Sequence, residues 1–255
     1  MMITSKSLAR SVLRFASLAA AALAVASPAL AAPGLGGKVY GASVDAGELE
    51  LESRYAGLAG GPDDGEWAWV GEVAYGFSDR FYAAVLVEVE REPGADAEVE
   101  AVSVEGLYRI GELPGGIGFA AYAEYEATVD GSPDKVELKA LFEKDAGPFN
   151  ARLNLIAERR LDDDADTEYG YAASADWEVA HDVRLGVQAF GDIGDDDGWG
   201  GRRDHFVGPV AEVEFDELPI EGELEIQAGY LFAAGSARDD ADGQARLTLE
   251  YKRRF

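Results

Sequence analysis

The chain has 255 residues, with 22 Lys+Arg against 49 Asp+Glu, a formal net charge of −27 and a pI near 4.2. It has no Cys, 2 His, 11 Tyr, 11 Phe and 4 Trp, so disulfides, thiolate metal sites, a cysteine nucleophile and a lipidated cysteine are excluded. So acidic a chain does not suit nucleic acid, whose recognition rests on basic residues meeting phosphate, and with 47% hydrophobic residues it is too apolar for a disordered acidic tail.

Lys6, Arg10 and Arg14 give a basic start, Phe15 to Ala26 is an apolar run, and Pro28-Ala29-Leu30-Ala31 ends in an A-x-A pattern. This is the layout of a secretory signal peptide over 1–31, cut after Ala31. The run is shorter than the roughly 18–20 apolar residues of a spanning helix. Three bases and no acid leave with it, and the remainder carries −30. Residues 32–46 are read as a periplasmic N-terminal segment, whose part from Lys38 to Ala46 suits a free tail and a plug of a lumen alike.

From residue 47 the pattern has period two. Ile117, Phe119, Ala121, Ala123, Tyr125, Ala127 and Val129 fall on one face, and Gly118, Ala120, Tyr122, Glu124, Glu126 and Thr128 on the other. Twelve strands are predicted near 47–58, 66–76, 80–91, 98–109, 116–129, 135–144, 149–161, 168–178, 183–192, 205–215, 223–234 and 244–255. Short turns such as Phe77-Ser78-Asp79 and Asp145-Ala146-Gly147-Pro148 alternate with acidic loops such as Asp162-Asp163-Asp164-Ala165-Asp166. Two of the shorter connections share Glu-Leu-Pro, at 112–114 and 217–219, which predicts one turn type used twice. Gly208-Pro209 predicts a bulge or a late strand start, because proline removes a ladder bond.

A soluble periplasmic β protein also alternates. Three features favour a transmembrane antiparallel up-and-down β-barrel over 47–255. The strands run ten residues or more, where soluble ones average about 5–6 and barrel strands need roughly 9–11. Aromatics cluster at both ends of the apolar stripe: Phe77, Phe81, Tyr108, Phe119, Phe142, Phe149, Trp177, Phe215, Tyr251 and Phe255 by the short turns, and Tyr55, Trp67, Trp69, Tyr125, Tyr169, Tyr171, Tyr230 and Phe232 by the acidic loops. Short turns on one side and longer loops on the other complete the pattern, with both ends of the barrel on the short-turn, periplasmic side.

The end Leu249-Glu250-Tyr251-Lys252-Arg253-Arg254-Phe255 resembles the terminal signal that Gram-negative outer-membrane barrels present to their assembly machinery, with Arg253 where an apolar residue is usual. Val39-Tyr40 and Val44-Asp45-Ala46-Gly47-Glu48-Leu49-Glu50-Leu51-Glu52, with Arg152-Leu153-Asn154-Leu155 and Gly208-Pro209, resemble a group of uncharacterised proteobacterial outer-membrane proteins described only as candidate transporters. That resemblance implies a location in the outer membrane among lipid and lipopolysaccharide, contact with the assembly machinery through Phe255, and no catalytic residues.

The predicted polar face carries 22 acids and 11 bases. Dry burial of so many ions is untenable, since each costs several kcal/mol, so water or ion pairs must fill the interior. Eight strands are just filled by side chains and sixteen leave a channel, so twelve suit a narrow pore or a blocked one. The predicted lining is Glu50, Glu52, Arg54, Glu72, Arg80, Glu88, Glu105, Glu124, Glu126, Lys139, Arg152, Arg184, Glu212, Glu225 and Arg246. The function expected is passive diffusion or uptake of small cationic or neutral solutes past acidic walls. The alternative is a structural or surface-interaction barrel that does not conduct, and the two differ in whether Arg54, Arg80, Arg152 and Arg184 pair across strands or reach into the opening.

A barrel hydrolase would need a His with Ser or Asp. His181 lies in a short turn, and His205 has Ser174 as the nearest hydroxyl the pattern offers, with no triad spacing, so no enzyme is expected. The Asp runs fail the calcium-loop pattern, with Thr167 at the sixth position and Ala173 at the twelfth. They are read as solvated loops, or more weakly as sharing divalent cations with lipid phosphates. No cofactor motif is present; Gly115-Gly116 is turn chemistry.

Overall fold

A computed structural model describes residues 34–129, 131–200, 203–216 and 218–255. The signal peptide read at 1–31 lies outside them. The strands are β1 (Glu48–Ala59), β2 (Trp67–Ser78), β3 (Phe81–Arg91), β4 (Glu98–Leu113), β5 (Ile117–Thr128), β6 (Lys135–Ala146), β7 (Phe149–Arg160), β8 (Thr167–Ala180), β9 (Val183–Asp195), β10 (Gly198–Trp199), β11 (Asp204–Phe215), β12 (Glu223–Gly235) and β13 (Gly243–Arg254). All but β10 form one antiparallel ring in chain order, closed by β1 on β13. β10 only lengthens the β9 hairpin beyond it, so the barrel has twelve strands. Closure follows from the solvent: hydrocarbon offers no partner to an edge N–H or C=O, so a sheet that crosses it leaves no edge.

The period-two pattern sets the faces. Along β7, Leu153 and Leu155 are exposed outward while Asn150, Asn154 and Ile156 are buried inward. Val73, Val85, Val104, Leu138 and Leu247 likewise face out. The two ends of this apolar band carry ring pairs: Phe77 with Phe81, Phe119 with Phe142 and Phe149 with Trp177 at the short turns, and Tyr55 with Trp67 and Tyr230 with Phe232 at the loops. Burying such a band in acyl chains is what holds a barrel in a bilayer.

Three expectations need correction. First, β4 continues to Leu113 through a register shift at Arg109/Gly111. Glu112 and Leu113 therefore pair with Gly118 and Ile117, whereas Leu218 and Pro219 lie outside any strand, so the two Glu-Leu-Pro stretches do not share a turn. Second, Pro209 sits in an unbroken β11 with no bulge. It stays opposite Val187 of β9, and pairing with β12 omits Gly208 and Pro209 without shifting register. Gly208 makes this possible, because a Cβ there would lie 2.1 Å from the Tyr230 carbonyl oxygen. Third, Arg80 is exposed in the β2–β3 turn rather than in the lumen, because β2 extends to Ser78 and the turn takes residues 79 and 80.

For the N-terminal segment, where a periplasmic tail and a lumen plug were both open, residues 36–44 run inside the barrel, with Tyr40 and Ala42 buried at 6% and 2% exposure. The chain turns back at Asp45-Ala46-Gly47, where Gly47 takes φ 77° and donates to the Gly76 carbonyl at 2.7 Å. Gly76 leaves the doorway open: a Cβ there would lie 2.0 Å from the Asp45 carbonyl oxygen. Nor is the interior wholly polar. Leu107, Leu141, Tyr122 and Tyr40 form one buried cluster, Ile156, Phe190, Val210 and Leu231 a second, and Val70, Ala74, Ala84 and Leu86 a third.

Candidate functional site in the barrel lumen

Alternation along β1 and β2 turns Glu52, Arg54 and Glu72 inward, all buried to 6% exposure or less. The Arg54 guanidinium bridges Glu52 and Glu72, 2.6 Å from Glu72 Oε2. The Lys38 ammonium of the inner segment joins them at 3.1 Å from Glu72, 3.2 Å from Glu52 and 3.5 Å from Glu50. Buried charges that close together are tolerable only because opposite signs interleave.

Further along, the segment is held like an extra strand by side chains. Asn154, fully buried, accepts from Tyr40 N–H at 2.7 Å and donates to Tyr40 C=O at 2.9 Å. The Tyr40 hydroxyl donates to Glu105 at 2.8 Å, and Glu105 also accepts from Tyr82 and Tyr122. Lys139 lies over the Tyr40 and Tyr122 rings at 4.4 and 4.3 Å and pairs with Glu137 at 2.7 Å. Glu143 accepts from Ala42 N–H at 2.9 Å and from Arg152 at 2.8 Å. Arg54 and Arg246 donate to the carbonyls of Gly36 and Gly37.

Beside the segment lies a cavity of about 490 Å³. It is lined from the short-turn ends of β1, β8, β9 and β13 up to Phe190, Val210 and Arg246, with ten carboxylates against five cationic side chains. Arg246 stacks on Phe190 at 4.4 Å where the second apolar cluster begins.

Of the residues predicted to line a pore, Glu50, Glu52, Arg54, Glu72, Glu88, Glu105, Glu124, Glu126, Lys139, Arg152, Arg184, Glu212, Glu225 and Arg246 occupy inward strand positions, and Arg80 does not. The inward arginines named beforehand are paired: Arg54 as above, Arg152 with Glu143, and Arg184 with Asp176. Sequence reasoning missed Lys38, Tyr40, Asn154 and Glu143 as one assembly. The signal available was Arg152-Leu153-Asn154, which sets two amide or guanidine groups inward on one strand, but nothing in the pattern marked what they hold.

Outside the lumen, His181 is exposed beside Asp182, and His205 meets the hydroxyl of Tyr171 on the outward face. Ser174 faces the inner cavity, so it is not the neighbour of His205 that the pattern suggested. Trp199, absent from the predicted belt, stacks on Tyr169 at 4.7 Å. Among the described residues, one set of three carboxylates is close enough to share a metal ion: Glu50, Glu52 and Glu250, with ligand atoms within 4.8 Å. Lys38 and Lys252 already neutralise members of it.

No protein-family profile and no curated protein matches the chain. Solved structures do. The COG4313 outer membrane channel from Pseudomonas putida aligns over 83% of this chain and 97% of its own, with TM-score 0.55 and 16% identity. The NanC porin aligns over 81% and 100%, with TM-score 0.55 and 11% identity. The KdgM porin aligns over 81% and 99%, with TM-score 0.52 and 11% identity. At these identities the likeness is one of fold, and together with the apolar exterior and closed ring it makes the chain a twelve-stranded β-barrel of the outer-membrane type.

Proposed function

We propose that the barrel is a narrow channel for the passive passage of small cationic or neutral solutes, with residues 36–44 as its constriction. The observation that carries this reading is the cavity of about 490 Å³ beside the segment, with its two-to-one excess of carboxylates. An acidic wall in a low-dielectric shell raises the local concentration of cations and repels anions of the same size. The likeness of fold to a channel and two porins supports it. The strand-terminal Phe255 is proposed as the contact with the assembly machinery, and outer-leaflet lipid and lipopolysaccharide as the surroundings of the apolar band.

A second reading, a structural barrel that does not conduct, is favoured by the pairing of Arg54, Arg152 and Arg184 with carboxylates and by the apolar cluster around Phe190. Swelling of proteoliposomes in isosmotic solutes separates the two. The channel admits small neutral and cationic solutes faster than anionic ones of equal size. Rates equal to protein-free liposomes for every solute favour the structural barrel.

A further inference from the structure

The segment inside the barrel is held there by hydrogen bonds and ion pairs to the wall as well as by apolar contacts. Between Gly34 and Ala46 it carries Gly36, Gly37, Gly41, Ala42 and Ser43, and Tyr40 is its one large buried side chain. Its apolar anchors are Tyr40 and Ala42 in the first buried cluster, Val44 packed beside them and Val39 against the second, and its backbone contacts are hydrogen bonds to side chains of the wall, which water can replace. Lys38 is its one cationic side chain. That ammonium sits among Glu50, Glu52 and Glu72 at 3.1–3.5 Å, contributed by β1 and β2. Were Lys38 withdrawn alone, Arg54 would face Glu52 and Glu72 by itself, and an uncompensated buried charge would remain. The carboxylates therefore hold the segment in until another cation takes its place.

We propose that residues 36–44 are a displaceable gate, that Lys38 is its lock, and that a small ammonium-type cation from solution opens it by replacing the Lys38 ammonium. The hinge is Asp45-Ala46-Gly47, which stays tied to the rim through Asp45 with Arg254 and Gly47 with Gly76 and Phe255. This deepens the channel reading by naming the cation class that acts on the constriction, but it is tested without conduction. Silent bilayers would sink the channel and leave the gate standing.

The absence of cysteine supplies the experiment. Ala42→Cys in the full chain puts the single thiol at a position 2% exposed, where a small neutral thiol reagent reacts only when the segment leaves the lumen. In the folded barrel, Lys38→Met is expected to raise the labelling rate at least tenfold, while Lys38→Arg stays within about twofold of the parent. Methylammonium chloride is expected to accelerate labelling of the Ala42→Cys chain. Tetramethylammonium chloride at the same concentration, with no N–H to donate, is expected not to. The salt comparison needs no second substitution and decides the matter even where Lys38→Met does not fold. Equal acceleration by both salts, or a Lys38→Met rate no different from the parent, overturns the proposal.

Discussion

Asn154 shows what a single residue does in this barrel. With its amide fully buried, it satisfies both backbone groups of Tyr40, 114 positions away. Asn154→Leu keeps the volume and orphans that N–H and C=O. Undocking of the segment should then become easier by about 2–4 kcal/mol, read as a loss of unfolding free energy in a urea titration of the folded barrel. An unchanged midpoint would mean that the segment adds nothing to stability. At the outer end, burial and the neighbouring Asp63, Glu90 and Glu92 push the Glu66 carboxyl up to about 7. Its folded form holds the proton more tightly than the unfolded chain, so its contribution is complete below about pH 4.5 and is lost as pH rises through 7. Glu66→Gln should therefore shrink the fall in stability between pH 5 and pH 8 by about 1 kcal/mol, a figure discounted for its half-exposed position. Equal falls in both chains would remove the effect.

Among elements, each strand's two faces meet different solvents, and depth decides the cost of a charge. Leu155 lies at the middle of β7 facing out, and Leu161 just beyond its end. Leu155→Lys should cost about 2–4 kcal/mol in folding into liposomes and Leu161→Lys about 0–1. Similar costs at both positions would contradict the placement of the lipid midplane. The strands were legible in the sequence because this contrast of solvents writes period two directly into the residues, and β7 matches its expected start at 149 and falls one residue short of its expected end at 161. β4 ran four residues longer than expected because a register shift lets Gly111, at φ 154°, continue pairing where the pattern breaks. The inner segment was legible only as one of two readings, a tail or a plug, and its contacts were not. Gly36-Gly37-Lys38-Val39-Tyr40 has no period, since it packs against carboxylates and amides from many strands and not against one face. Fourteen residues of the candidate lining could be placed inward by parity alone, but which of them would meet Lys38 or Tyr40 depends on ring closure, which parity does not encode.

At the scale of the whole molecule, a ring of twelve strands is wider than its side chains fill, and the chain resolves this by bringing its own N-terminal segment into the gap beside a wet acidic cavity. Apolar clusters brace the rest of the lumen, and in the proposed channel the acidic walls of the cavity would set the sign of what enters. The most direct test is the reversal potential of the intact chain in a planar bilayer under a tenfold KCl gradient. Small conductance steps whose zero-current voltage lies toward the potassium equilibrium potential are the predicted result. A zero-current voltage toward the chloride side, or a bilayer that stays silent with folded protein inserted, would contradict it.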